Sequence, residues 1–297
     1  MDALNRTPLI TVIGGANTDI CGGPAASLRL YDSNPGSIEL RQGGVGRNIA
    51  HNLRLLGLNV RLIAAVGDDV FGRELIAGCA ALGMDVSRML TVPGARSSTY
   101  LYVTNAAGDM HVGIADMDVV EHITPDYLRP LMDEINASDA VVADANLSAE
   151  TLAYLAGACT VPLYADPVST AKAPRLMPLL PRLAAFKPNR LESKLLTGQN
   201  YPGQAAKELL AAGVRRVFIS LGSEGMIAAD GKETIRLPRN FGRVVNTTGA
   251  GDAATAAIVW ADLHGLDLRR TAEAALSAGA QTCAVAENNN PALTLSF

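Results

Sequence analysis

The segment Asn246-Thr247-Thr248-Gly249-Ala250-Gly251-Asp252 runs into AATAAIVWADL, an alanine-rich stretch of helical character. Small residues at 249–251 let a ligand approach the main chain. At a helix start, their free N–H groups and the helix dipole make an anion site. Asp252 falls in the first turn, within reach of whatever that site holds. This suits a base that takes a proton from a hydroxyl attacking a phosphoryl group. Two plainer readings stand beside it. An acid at a helix start compensates the dipole. Gly249-x-Gly251-x-x-Ala254 also satisfies the relaxed dinucleotide fingerprint, although that fingerprint usually opens a fold and here lies near the chain's end.

Other positions carry weaker signals. Asn17 and Asp19 follow the first apolar run. If the chain stays extended there, residues two apart point to one side, and a paired amide and carboxylate can hold vicinal hydroxyls. An Asn/Asp turn is the alternative. Gly44-Val45-Gly46 opens a helix and offers close backbone approach. Asn48, in its first turn, either caps the helix or grips a ligand. No G-x-x-x-x-G-K-[ST] or H-E-x-x-H occurs, which excludes a P-loop and a zincin site. His51, His111, His122 and His264 are not at ligand spacing and read as surface histidines. Cys21, Cys79, Cys159 and Cys283 make no C-x-x-C pair, as expected of a reduced protein.

These positions need elements to hold them. Leu9–Ile13 reads as a buried strand, Gly46–Leu56 as a helix closed by Gly57, Val60–Val66 as a strand and Phe71–Leu82 as a helix. Helices near 125–135, 148–158, 174–183 and 203–212 then separate strands near 139–144, 161–166, 184–187 and 215–220. That alternation implies a mostly parallel sheet covered on both faces. Met226–Ala229 and Thr234–Leu237 form a hairpin around Asp230-Gly231. Arg243–Val245 is a short strand, and Gly249–His264 and Leu268–Ala286 are the last helices. Residues 21–42 and 97–116, each with its own turn, form a small β appendage.

The chain has 297 residues, 48% hydrophobic and 18% charged, which excludes a disordered chain. A net charge of −4 argues against a nucleic-acid binder but allows one nucleotide in a pocket. The start, MDALNRTPLITVIGG, lacks the pattern of a secretory signal, and no apolar run reaches about 18 residues. A cytoplasmic protein without a membrane partner is expected.

Taken together, Gly14-Gly15-Ala16-Asn17-Thr18-Asp19, Gly43-Gly44-Val45-Gly46-Arg47-Asn48, Gly67-Asp68-Asp69-Val70-Phe71-Gly72, Lys187-Pro188-Asn189-Arg190-Leu191-Glu192, Ser220-Leu221-Gly222-Ser223-Glu224-Gly225 and Gly249–Asp252 resemble the ribokinase-like carbohydrate kinases of the phosphofructokinase-B type. Each motif is common alone; six in the family's order are specific, and they span nearly the whole chain. The resemblance implies a three-layer α/β/α sandwich, one kinase domain over 1–297, with a β lid from about 21–42 and 97–116 that often also makes a dimer contact. It implies ATP and Mg²⁺ as cofactors. Asn17, Asp19, the Gly43-Gly44 backbone and Asn48 would hold sugar hydroxyls. Asn189 and Glu192 would order the magnesium–phosphate waters. Ser220, Gly222, Gly225 and Thr248 would bind ATP. The amides of Gly249, Ala250 and Gly251 would form the anion hole, and Asp252 would be the base. Many relatives carry Asp where this chain has Asn246, and that Asp helps bind a monovalent cation. The amide lacks the charge, so K⁺ is carried over only as far as backbone carbonyls could bind it. Within the family, Asp32–Ile38, Gly43–Leu53, Asp166-Pro167-Val168-Ser169 with Lys172, and Asn290-Pro291-Ala292-Leu293 resemble the branch whose acceptor is pseudouridine. Asp32, Ser98 and Thr99 are then candidates to meet the base. Another nucleoside, ribose, or a catalytically silent sugar-binding regulator is the alternative.

Overall fold

The computed structural model describes residues 6–105, 109–238, 242 and 244–295. From the amino end the chain forms β1 (Leu9–Ile13), β2 (Asn17–Pro24), β3 (Gly36–Gly43), α1 (Val45–Leu55), β4 (Asn59–Ile63), β5 (Ala65–Gly67), α2 (Val70–Ala81), β6 (Leu90–Val92), β7 (Thr99–Thr104) and β8 (Met110–Asp116). It continues through α3 (Pro125–Leu128), α4 (Met132–Asn136), β9 (Ala140–Asp144), α5 (Ala149–Ala158), β10 (Leu163–Asp166), β11 (Leu183–Phe186), α6 (Arg190–Thr197), α7 (Pro202–Ala211) and β12 (Arg216–Ser220). The hairpin β13 (Met226–Asp230) and β14 (Thr234–Leu237) precedes α8 (Ala250–Leu263) and α9 (Leu268–Cys283).

The main sheet has the order β14-β13-β12-β11-β10-β9-β1-β4. The strands from β4 to β12 run parallel, and β13 and β14 are antiparallel. Strands β9 to β11 are apolar along nearly their whole length because both faces are covered. Alternation assigns the two faces: Val141 and Ala143 join one core with Leu152, Leu155 and Leu209, while Ala140 and Val142 join the other with Ile49, Leu53 and Val259. This is the expected three-layer α/β/α sandwich. Alanines 253, 257, 261, 274 and 278 let α8 and α9 pack closely.

A second sheet, β3-β2-β7-β8, stands apart from the first. Strand β2 pairs antiparallel with β3 and parallel with β7, and β7 pairs antiparallel with β8. It is the β appendage expected from 21–42 and 97–116, with β2 starting earlier, at Asn17.

Several local expectations change. The run 60–66 is two strands: beyond Ala64 the chain leaves β1 and pairs with β6. The stretch 125–135 is two short helices around a 3-10 turn at Pro130. The helix expected at 174–183 is only two 3-10 turns, because Pro174, Pro178 and Pro181 cannot donate to a helical ladder. Helix α6 was not anticipated, although Asn189-x-x-Glu192 is a capping-box signature. The expected β13–β14 hairpin turn runs through Asp230-Gly231-Lys232-Glu233, where Asp230 N donates to the Glu233 carbonyl and the Asp230 carboxylate accepts from the amides of Lys232 and Glu233. Of the strand expected at 243–245, Arg243 lies outside the described residues and Val244 and Val245 are not in a strand. Helix α9 ends at Cys283, short of Ala286.

Gly67-Asp68-Asp69-Val70-Phe71-Gly72 proves to be a joint between the start of α2 and the second sheet. Asp69 caps α2 by accepting from Gly72 N, and it also accepts from Ser97 N at 2.8 Å and Ser97 Oγ at 2.6 Å. Ser97 Oγ accepts in turn from Gly67 N. The entry to β7 is thereby pinned to the start of α2. Asp69→Ala removes the cap and both serine bonds at once. It should lower unfolding free energy in urea by about 1–3 kcal/mol, a cap alone being worth about 1. An unchanged midpoint would show that this joint carries no stability.

Candidate active site

The carboxyl ends of the parallel strands converge on one crevice, where ligands bind in open α/β sheets. Strand β9 ends in Asp144, β10 in Asp166, and Lys187 directly follows β11; all three are buried. Asp144 accepts from the amides of Gly15 and Asn146, both at 2.9 Å, yet burial still pushes its carboxyl above the usual range. Asp166 accepts from Val168 N and from Thr255 Oγ1 of α8, and its Oδ2 lies 3.8 Å from Lys187 Nζ.

Helix α8 begins in this crevice. Its first-turn amides lack a side-chain cap, and Gly249 at the cap position has φ +80°. A Cβ there would come within 1.9 Å of the Asn288 carbonyl oxygen, so only glycine fits. A Cβ built on Gly251 would stand 3.5 Å from Lys187 Nζ, so the ammonium adds its charge beside the open amides. Asp252 is half-buried in the first turn, and its Oδ2 accepts from Asn48 Nδ2 at 2.9 Å. Desolvation, helped by the nearby carboxylates of Asp166 and Asp144, pushes Asp252 up to about 7, against the pull of Asn48 and Lys187. A carboxyl with this pKa beside free helix amides can take a proton near neutrality while the amides hold an anion.

Helix α1 faces it. Gly44 has φ +98°, and a Cβ there would meet the Gly15 carbonyl at 2.5 Å. This glycine therefore serves the approach of backbone to backbone rather than to a ligand. Arg47, buried, donates to Asn289 Oδ1 at 3.0 Å and to Asn48 Oδ1 at 3.2 Å. With its oxygen taken by the guanidinium, the Asn48 amide nitrogen is the atom turned to Asp252. His51 is half-buried rather than on the surface, and burial, with Arg47 nearby, pushes it down to about 4.

Strand β2 carries the third group. Asn17 Nδ2 donates to Asp19 Oδ1 at 2.6 Å, so the two side chains do share one side. Burial raises the Asp19 carboxyl, with Asn17 as the largest opposing influence. A Cβ on Gly43 would lie 2.4 Å from Asp19 Oδ2, so that glycine makes room for the carboxylate. Asp19 opens into a cleft of about 740 Å³ between the second sheet and residues 245–248, lined also by Glu39, Arg41, Tyr100 and Tyr102.

Other expected positions separate. Thr248 lines this cleft, on the lid side. Asp32 does not: it is exposed in the β2–β3 loop, and its carboxylate accepts from Ser33 N. A turn-forming Asp needs no ligand. Ser98 is buried beside Thr18 with its hydroxyl unpartnered, and Thr99 donates its hydroxyl to the Ser97 carbonyl. Neither lines the cleft. Asn189 and Glu192 form a reciprocal capping box on α6, and burial raises the Glu192 carboxyl. Ser220 N donates to the Pro188 carbonyl, which sets the end of β12 beside that cap, and Gly222 and Gly225, both at positive φ, turn the chain back. Asp144, Asp166, Lys187 and Arg47 were given no role from sequence. The first two had a legible signal, a carboxylate closing a buried apolar strand.

Residues 7–295 match the family described as pfkB family carbohydrate kinase. A pseudouridine kinase of Escherichia coli K12 is 36% identical over 294 residues, which cover 96% of this chain and 94% of that protein. A sugar kinase of the same organism, YeiI, described as uncharacterized, is 33% identical over 98% of this chain and 82% of its own length. The structure of Arabidopsis thaliana ribokinase complexed with ribose and ATP superposes with a TM-score of 0.80 at 21% identity, covering 97% and 96% of the two chains.

The raised pKa of Asp252 has a consequence for stability. Its folded value, about 7, lies above the unfolded 3.8. Between these values the unfolded chain has lost the proton that the folded one keeps, so this group costs stability increasingly as pH rises and fully above 7. Asp252→Asn should therefore melt higher than the parent at about pH 8, with the gap closing toward about pH 4. A gap independent of pH would show that Asp252 does not titrate abnormally.

Proposed function

The chain belongs to the PfkB family of carbohydrate kinases, and we propose that it transfers the γ-phosphoryl group of ATP to the ribosyl 5′-hydroxyl of pseudouridine, giving pseudouridine 5′-phosphate and ADP. The observation that carries the phosphoryl-transfer part is Asp252, near-neutral in pKa, at the open end of α8 and hydrogen-bonded to Asn48. In this reading 1–297 acts as one kinase domain, with the second sheet as its lid.

Asn17 and Asp19 hold ribose hydroxyls, with the Gly43-Gly44 backbone and Asn48 behind them. The 5′-oxygen forms its bond to the γ-phosphorus as the bond to the β,γ-bridging oxygen of ATP breaks. Asp252 takes the hydroxyl proton. The amides of Gly249, Ala250 and Gly251 carry charge on the transferring group, and one such donor is worth about 2.7–4 kcal/mol in other sites. Lys187 adds its charge from beside Gly251. Ser220, Gly222 and Gly225 line the nucleotide side. Magnesium, when bound with ATP, neutralises phosphate charge. Among the described residues no group of three His, Cys, Asp or Glu could hold it directly. Glu192 fits a water-mediated role, since one carboxylate oxygen accepts from Asn189 N and the other accepts from no donor among the described residues. The lid excludes water from the transfer.

Pseudouridine is favoured by the lid segment 32–38 and by the match to the Escherichia coli enzyme over nearly the whole chain. A phosphosugar would want a free guanidinium in the cleft. Arg41, the cation among the described lining residues, is already held by Glu39 and the Ala286 carbonyl. Pseudouridine differs from uridine by an N1–H, which needs an acceptor. Glu39 and Ser37 line the cleft where Asp32 does not. A nucleoside panel with ATP, read by product mass, tests this. The kcat/KM for pseudouridine should exceed those for uridine and ribose by at least about tenfold, as where a site pairs a group its analogue lacks. Asp252→Asn should lower turnover by about 10²–10⁴ while nucleoside binding survives. A preference for ribose or uridine would refute the substrate, and normal turnover of Asp252→Asn would refute the base.

The lid also carries a reading of assembly. On β3 and β7, Ser37, Glu39, Arg41, Tyr100 and Tyr102 face the cleft, while Ile38, Leu40 and Leu101 are exposed on the other side. Val112 and Ile114 of β8 are exposed as well. A lid whose apolar residues point away from its own cleft is suited to pairing with a second copy of the chain. The double variant Ile38→Asp, Ile114→Asp should sediment as a monomer where the parent sediments as a dimer. A monomeric parent would remove this homodimer.

A further inference from the structure

The Ala286 carbonyl receives two donors, Asn246 Nδ2 at 3.0 Å and Arg41 Nη1 at 3.1 Å. Asn246 Oδ1 accepts from Thr248 N at 2.9 Å, and a backbone amide can only donate. This bond fixes which way the side-chain amide points: the NH₂ group must be the one turned to Ala286. The amides of Val245 and Asn246 donate to the Cys283 carbonyl at 2.8 and 3.3 Å, tying the same loop to the end of α9. Three residues beyond Asn246, the chain reaches Gly249. One carbonyl thus joins three parts: the loop entering α8, the segment after α9, and strand β3 of the lid through Arg41.

Many of the kinases this chain resembles hold a monovalent cation near the anion hole with the help of an Asp where this chain has Asn246. Such an ion requires oxygens turned inward. Here the inward group of residue 246 is an N–H donor, and the side-chain oxygen is taken by Thr248. The Ala286 carbonyl, the oxygen that residue 246 faces, already accepts from a guanidinium, whose charge repels a second cation at hydrogen-bond distance. The donor set does not fit the ion. We propose that Asn246 and Arg41 together take the place of the monovalent cation, bridging the two loops by hydrogen bonds, so that the protein neither binds potassium there nor needs it for phosphoryl transfer. Because Arg41 lies on β3, the bridge also ties the lid to the loop that feeds the α8 amides.

The test uses the full-length protein in potassium chloride and in tetramethylammonium chloride at equal ionic strength. Its first readout, the melting temperature without substrate, does not depend on the kinase reading; only the second, ATP-dependent turnover of the best acceptor, rests on it. The parent should show the same melting temperature in both salts and turnover within about twofold, since an ion with no differential binding shifts nothing. In the double variant Asn246→Asp, Arg41→Gln, a carboxylate faces the Ala286 carbonyl without the guanidinium. That protein should melt higher in potassium than in tetramethylammonium and recover turnover there. A parent stabilised or activated severalfold by potassium would overturn the proposal, as would a folded double variant indifferent to the salt.

Discussion

The organisation of this protein depends on one constraint: several carboxylates share a nearly dry crevice at the carboxyl ends of the parallel strands. Asp144, Asp166 and Glu192 are buried there, and Asp252 stands half-buried among them, with Lys187 3.8 Å from Asp166. Such crowding is stable only where hydrogen bonds answer the charges. The answers come from backbone amides at Asp144, from an amide and a threonine hydroxyl at Asp166, and from a helix cap at Glu192. Asp252 receives only the Asn48 amide among the described bonds, and it is the one raised to about 7. A carboxyl answered by a single side-chain amide, with two further carboxylates nearby, is poised to exchange a proton at neutral pH.

The same constraint explains several glycines and the buried arginine. The backbone must close tightly around the carboxylates, so Gly43 yields space to Asp19 and Gly249 to the Asn288 carbonyl. Arg47 does not face the cleft as a free cation. It binds Asn289 and the oxygen of Asn48, and so orients the amide that reaches Asp252. The second sheet is tied in at points remote in sequence, among them Asp69 with Ser97, Gln42 with the Glu74 carbonyl, and Arg41 with Ala286. Its cleft side carries polar and aromatic residues, while its other side is apolar, as befits a cover whose outer face is itself meant to be covered.

Much of this was legible in the residues themselves. Short apolar runs alternating with helical periods dictate a covered parallel sheet, because only burial on both faces tolerates strands such as Ala140–Asp144. The period of two placed Asn17 and Asp19 together, and glycines ahead of an alanine-rich run marked the α8 amides. Where local rules compete, tertiary context decided. Three prolines dissolved the helix at 174–183, and the strand at 60–66 divided because two different neighbours claimed its halves. Asn189 and Glu192 carry a helix cap as well as any ligand role, and spacing alone cannot separate the two. Asp32 and Asp252 are equally acidic on paper. Only the folded chain leaves Asp32 in solvent, satisfied by its own turn, and sets Asp252 against Asp166, Asp144 and Asn48. Residue type decides which groups can ionise, but a pKa depends on how much water and which charges surround the group, and those come from segments remote in sequence.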